Sequence, residues 1–220
     1  MLVTRRTVSQ DGWVLIPELN PACTGVEIAT QIGSSWFHER GGFVHRLTPS
    51  GIDDVVPNTY SGRYGVERFP LHTDLAHHTE PPRYFLLRCV RGYSEVSTNL
   101  IDGKDMVRSI GASLLARALV QPRRPRGGAR PLLPIYQLHK GDHGLLRWDE
   151  TYIQPASVAG EQAFASISCY LAKVAPTSIQ LTAPGDTLIV DNWRMIHGRS
   201  DVPPYCQDRL IERAYLGDIH

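Results

Sequence analysis

Proline and glycine break this chain at short intervals. Sixteen prolines and nineteen glycines are spread over 220 residues, and the apolar segments between them are short. Such punctuation works against long helices, because proline removes a backbone donor and clashes with the preceding turn. Short apolar runs bounded by these breakers read as strands. They are expected at Trp13–Pro17, Arg83–Val90, Leu132–Leu138, Leu145–Trp148, Ser178–Leu181, Thr187–Ile196 and Leu210–Leu216. Helical spacing is expected over Pro21–Trp36, over Asp105–Leu119 with a break near Gly111, and over Gly160–Val174, where Phe164, Ile167, Leu171 and Val174 share a face. Strands dominate the second half, which predicts a mainly β fold with helical decoration, an antiparallel sandwich or jelly roll. No internal repeat interrupts the pattern, and the length suits one domain over residues 1–220.

Charge excludes some functions. Lysine plus arginine is 23 and aspartate plus glutamate is 22, a formal charge of +1. No basic surplus is present to neutralise phosphates, which argues against a dedicated nucleic-acid binder. The basic run Arg123 to Arg130 reads as a solvated Pro/Gly loop. No apolar stretch approaches the roughly 18 residues of a membrane span. The opening Met1-Leu2-Val3-Thr4-Arg5-Arg6 has no apolar run behind its basic pair, so no signal peptide is expected. Cys23, Cys89, Cys169 and Cys206 are widely spaced and form no Cys-x-x-Cys pair, which fits free thiols and a cytoplasmic address. Cys206, in Pro-Pro-Tyr-Cys-Gln, is expected in an exposed loop.

His72-Thr73-Asp74 is a candidate metal pair, since two ligands with one residue between them can converge from a strand end or a tight loop. By itself the motif says little. Nine histidines and 22 acids in 220 residues give about one His-x-acid match by chance, and His78-Thr79-Glu80 is a second. Context separates them. His197 ends a strand-like run, and Arg209 and Arg213 follow in a segment whose alternation puts residues four apart on one face. A forked guanidinium pairs bidentately with a carboxylate, and two arginines facing inward need anions to satisfy them.

His72-Thr73-Asp74, followed by Pro81-Pro82, an apolar strand and Thr98, resembles the front half of the taurine-dioxygenase and clavaminate-synthase-like superfamily. Gly185-Asp186, Asp191-Asn192, His197-Gly198-Arg199 and Arg209-x-x-x-Arg213 resemble its back half. The resemblance implies a double-stranded β-helix (jelly roll, cupin-like) and an Fe(II)- and 2-oxoglutarate-dependent oxygenase that uses O2 and releases succinate and CO2. Carried over, it implies that His72, Asp74 and His197 bind iron. It also implies that Arg209, supported by the Thr98 hydroxyl, pairs with the distal carboxylate of 2-oxoglutarate. Arg213 would face the carboxylate at the keto end or an anionic group of the substrate. The spacing to Pro81-Pro82 and Thr98 favours Asp74 over Glu80 as the acidic ligand. The expected partner is a small polar, amino-acid-like metabolite, with no membrane and no nucleic acid. Two other readings stay open on sequence alone: a jelly-roll protein that binds metal or ligand without turnover, and a cupin dioxygenase that does not use 2-oxoglutarate. His77, His78, His139 and His143 read as loop residues, and Tyr60, Arg63, Tyr64 and Arg147-Trp148 as residues able to line a pocket.

Overall fold

A computed structural model describes residues 2–36, 43–49, 59–125, 127–138 and 144–220. The chain begins with α1 (Leu2–Asp11), β1 (Trp13–Ile16), α2 (Gly25–Ile32), β2 (Gly33–Ser35), β3 (Val44–Leu47) and α3 (Tyr60–Tyr64). It continues through β4 (Phe69–His72), β5 (Tyr84–Arg91), β6 (Ser97–Asp102), α4 (Gly103–Ile110), α5 (Ala112–Arg117), β7 (Leu119–Pro122) and β8 (Leu133–Pro134). After β9 (Tyr136–Leu138), β10 (Gly144–Leu146), β11 (Ile153–Pro155) and α6 (Val158–Leu171) come β12 (Thr177–Gln180), β13 (Thr187–Asp191), β14 (Met195–Arg199) and β15 (Leu210–Ile219).

Two antiparallel sheets carry the architecture. The larger runs β1-β13-β5-β15-β2 with β3 also on β15, and the smaller runs β12-β6-β14-β4. Their inner faces meet in one apolar cluster: Phe85, Cys89, Leu188, Val190, Ile211 and Tyr215 from the larger sheet lie against Leu100, Ile179 and Met195 of the smaller. Alternation along each strand explains why the opposite face of the larger sheet is also buried. Tyr84, Leu86, Ile189, Ala214 and Leu216 pack there against Ile28, Ala29 and Ile32 of α2. A third cluster lies around Trp148, with Met106, Leu115, Ala163 and Ile167 from α4, α5 and α6. Among the described residues no helix is long and apolar enough to cross a membrane.

Three expected elements are drawn differently by the structure, among them the strand over Leu132–Leu138, which is split into β8 paired with β7 and β9 paired with β10. The helix expected over Pro21–Trp36 covers only Gly25–Ile32. Thr24 and Glu27 form a reciprocal capping box that starts it, with the Glu27 N–H donating to Thr24 Oγ1 and the Thr24 N–H to Glu27 Oε2. Gly33 ends it by entering β2, where a Cβ would lie 2.1 Å from the Asp218 carbonyl oxygen of β15. The single strand expected over Thr187–Ile196 is two strands in different sheets. The turn between them is closed by the Trp193 N–H donating to Asp191 Oδ1 and the Arg194 N–H to the Asp191 carbonyl. That turn contains neither glycine nor proline, so breaker residues gave no warning of it. Cys206 is buried beside Val96 and Val202 rather than exposed, because the 3-10 turn Pro204–Cys206 directs it inward. All four cysteines are free, and Cys169 is the exposed one. His139, His143 and Arg126 lie outside the described residues.

Gly198 shows how tightly the smaller sheet is assembled. β14 pairs with β6 on one side and β4 on the other, and the register to β4 shifts between His197 and Arg199. A Cβ at Gly198 would sit 2.7 Å from the Phe69 carbonyl oxygen and 3.3 Å from that of Pro70. Neither is a side chain that can turn away. Gly198→Ala is expected to cost about 1–3 kcal/mol, lowering Tm by roughly 2–12 °C for a chain of this size. Thermal denaturation followed by circular dichroism measures it, and an unchanged Tm would contradict this account of the crossing.

Candidate metal centre

His72 ends β4 and His197 lies in β14, and the two residues are direct cross-strand partners. Opposed residues of an antiparallel pair present their side chains on the same face, so the imidazoles meet with ring centroids 4.5 Å apart. Asp74 follows His72 after one residue and brings its carboxylate between them. Oδ1 is 3.4 Å from His72 Nε2 and Oδ2 is 3.7 Å from His197 Nε2. One ligand atom from each of the three buried side chains lies within 4.8 Å of the other two. The Nδ1–H of His72 donates to the Pro70 carbonyl at 2.8 Å, since that oxygen can only accept. This leaves Nε2 with its lone pair directed at the cluster, the arrangement metal-binding histidines adopt.

The turn that presents Asp74 is held from three sides. Its N–H donates to Asn192 Oδ1 at 2.7 Å, and Asn192 Nδ2 donates back to the Asp74 carbonyl at 3.0 Å and to that of Pro82 at 2.9 Å. The Thr73 N–H donates to the Trp148 carbonyl, and the Trp148 N–H to Thr73 Oγ1. Arg147, almost fully buried, gives its guanidinium to the carbonyls of Ala76, His78 and Thr79. Leu75 has φ +57°, a conformation that costs an ordinary side chain free energy and persists only where neighbours impose it. The pocket-lining reading of Arg147 therefore gives way to a clamp on this turn. Asn192 entered the sequence pattern only as part of Asp191-Asn192, and its contact lies 118 residues away from Asp74.

Charge at the cluster is set by burial and close partners. Burial acting alone would raise the Asp74 carboxyl, yet Arg213 and the close imidazoles of His197 and His72 hold it well below the usual aspartate range. His72 is lowered by burial but raised on balance by Asp74, with Asp149 adding to the effect. His197 is lowered, by burial and by the neighbouring charge of His72. Arg213 stands 3.6 Å from Asp74 Oδ2 and lies over the Tyr215 ring at 4.6 Å, so it sits at the cluster itself. Glu80, the alternative acid, is exposed and outside the cluster.

Arg209 comes just before β15 and is 6% exposed. Its Nε is buried without a hydrogen bond, and it forms no ion pair among the described residues. Burial lowers its pKa, with the thiols of Cys89 and Cys206 acting in the opposite direction. Thr98 is buried on β6 opposite Arg199 of β14. His78 packs edge-on against Trp36 at 5.6 Å, and His77 lies 4.8 Å from His78. Tyr60 stacks on His72. The position of that ring had no sequence signal beyond its place in a Tyr-rich segment.

The fold that holds this cluster is shared with several proteins of known structure, two oxygenases that bind iron among them. Asparagine oxygenase in complex with Fe(II), 2S,3S-3-hydroxyasparagine and succinate superposes with a TM-score of 0.71 at 19% identity, covering 98% of this chain and 77% of that one. OrfP in complex with Fe, succinate and (3S)-hydroxy-L-Arg gives 0.67 at 17% identity, over 99% and 79%. PvcB from Pseudomonas aeruginosa gives 0.70 at 17% identity, over 98% and 79%. In sequence, the chain is 28% identical to clavaminate synthase 2 of Streptomyces clavuligerus over 163 residues, 66% of this chain. It spans about half of that relative's length (48%). No family model matches the chain.

Asp191, beside Asn192, gives a test of how the β13–β14 turn is built. Its carboxyl is pushed up to about 6 by burial, only partly offset by Arg83 at 4.0 Å. A carboxyl raised by folding favours the protonated form. The stability associated with it is therefore complete below the ordinary aspartate pKa of about 4 and is lost as pH rises through about 6. Asp191→Asn keeps an acceptor for the Trp193 N–H. Urea denaturation should find it more stable than wild type by about 1–3 kcal/mol at pH 7.5 and equal to wild type at pH 4.

Proposed function

We propose that this chain is an Fe(II)- and 2-oxoglutarate-dependent oxygenase, a single domain over residues 1–220 built on a double-stranded β-helix. Its substrate is a small, polar, amino-acid-like metabolite, and it works in the cytoplasm without membrane or nucleic-acid partners. One observation carries the reading: a buried two-histidine, one-carboxylate cluster shares a fold with a buried guanidinium that meets no anion among the described residues. Two imidazoles and a carboxylate on one side of an ion are the facial set that suits Fe(II) and leaves positions open. The donors fit that ion, since His72 Nε2 and His197 Nε2 both face an ionised Asp74.

His72, Asp74 and His197 would hold the metal. Arg209 would receive the distal carboxylate of 2-oxoglutarate, with the Thr98 hydroxyl beside it. Arg213, at the Asp74 end, would meet the carboxylate at the keto end or an anionic group of the substrate. Iron bound there supplies the activation of O2 that oxidises a C–H bond while 2-oxoglutarate becomes succinate and CO2. The protein's own part is to fix these groups and keep water from them. Burial of Arg209 makes a charged partner worth more than at the surface, because the pair is poorly screened. The substrate class is supported by the amino-acid products bound in the asparagine oxygenase and OrfP structures.

The test needs no substrate. Fe(II) and then 2-oxoglutarate are added anaerobically to metal-free protein, and the weak visible charge-transfer band of a chelated keto acid is followed. Wild type is expected to show the band and His197→Ala to lose it. Arg209→Ala should need at least tenfold more 2-oxoglutarate, since loss of a charged hydrogen-bonding partner is worth about 1.5–3 kcal/mol. A folded, iron-loaded wild type without the band would overturn the assignment.

A further inference from the structure

One face of the His72 ring is covered by a segment that the proposed chemistry does not use. Tyr60 lies on that imidazole with ring centroids 4.0 Å apart and planes 23° from parallel. It is surrounded by aromatic rings: Tyr152 edge-on at 5.3 Å, Phe69 at 5.6 Å and Tyr64 stacked at 5.9 Å. Behind it the segment is fastened to the strand that carries the other histidine. Arg199, two residues after His197, lies 3.7 Å over the Phe69 ring and donates to the carbonyls of Gly65 at 2.9 Å and Glu67 at 2.6 Å. The Val202 N–H donates to the Val66 carbonyl at 2.8 Å. At the front, the Tyr64 hydroxyl meets Thr151 Oγ1 at 3.0 Å. Three attachments hold a helix of five residues that could not stand alone in water.

A histidine ring has two freedoms that matter to a metal: rotation within its plane and tilt of the plane. The hydrogen bond from Nδ1 to the Pro70 carbonyl limits the first. A ring lying flat on the imidazole limits the second. We propose that Tyr60 is a positioning residue for His72, and that its ring, seated by the Arg199 clamp, keeps Nε2 aimed at Asp74 and so sets how tightly the centre holds a metal. The inference rests on the reading of His72, Asp74 and His197 as metal ligands. It requires the aromatic ring of Tyr60 and not its hydroxyl.

Co(II) alone is the probe. Metal-free wild type, Tyr60→Phe and Tyr60→Leu are titrated with Co(II), and the ligand-field absorption and the rate of release to a chelator are recorded. Groups that orient metal ligands typically contribute 10–100-fold to affinity. Tyr60→Leu is therefore expected to weaken binding about tenfold or more, speed release and alter the absorption envelope, whereas Tyr60→Phe keeps all three at wild-type values. Circular dichroism of the metal-free proteins identifies any variant that has lost the fold. Wild-type affinity, spectrum and release rate in a folded Tyr60→Leu would overturn the proposal, as would a Tyr60→Phe that behaves like Tyr60→Leu. A wild type that takes up no Co(II) would instead strike the metal reading itself.

Discussion

The pairing of β4 with β14 is the constraint on which the rest of this molecule depends. It sets His72 opposite His197, and antiparallel geometry does the rest by sending both side chains to one face. A one-residue slip would send one imidazole to the opposite face. The register is fixed from both sides, because β14 also pairs with β6 from Met195↔Asp102 to Arg199↔Thr98. Gly198 lets the Phe69 carbonyl approach where a side chain would block it. The short β13–β14 turn then carries the chain from one sheet to the other and delivers Asn192 to the backbone of Asp74. Pairing, turn and ligand geometry form a single mechanical unit.

Buried arginines show how this protein separates structure from chemistry. Arg88 donates to the carbonyls of Leu19, Asn20 and Cys23 and to the Thr187 hydroxyl. Arg147 and Arg199 likewise give their donors to main-chain carbonyls. Each of these three binds chain segments together, which compensates the desolvation of its charge. Arg209 is buried like Arg88 and Arg147, and more deeply than the half-buried Arg199, but has no such partners among the described residues. On the proposed reading this guanidinium is the one that receives an anion from outside the chain.

Several features were legible in the sequence because they depend on local pattern. The strands around Phe85 and Ile211 follow from apolar runs between breakers. The bend at Gly111 separates α4 from α5 as its position suggested. His72 and Asp74 came from a motif that chance alone would produce about once, preferred over the pair with Glu80 by spacing to later residues, and His197 joined them through the family resemblance. Other features had no local signal. The split of Thr187–Ile196 depends on Asp191 capping a turn in a stretch with no glycine or proline. Helix α2 starts four residues later than its apolar spacing suggested, since the Thr24–Glu27 box outweighs spacing. Arg147 looked like a pocket residue because nothing in Arg147-Trp148-Asp149 names three carbonyls some 70 positions earlier.

By itself, the sequence determined which chemical groups are available and in what order. It carries two histidines and an aspartate suited to a metal, two arginines near the end, and strands short enough to fold into facing sheets. Tertiary structure decided which of those groups meet. It put Asp74 between two cross-strand imidazoles, left Arg209 without an anion among the described residues, set Arg213 against Asp74, and laid Tyr60 on His72. The physical reason is range. Propensity and capping act over a few residues, whereas the long-range contacts that shape this centre join positions 12 to 139 residues apart. Such contacts exist only once two sheets have closed on a common core.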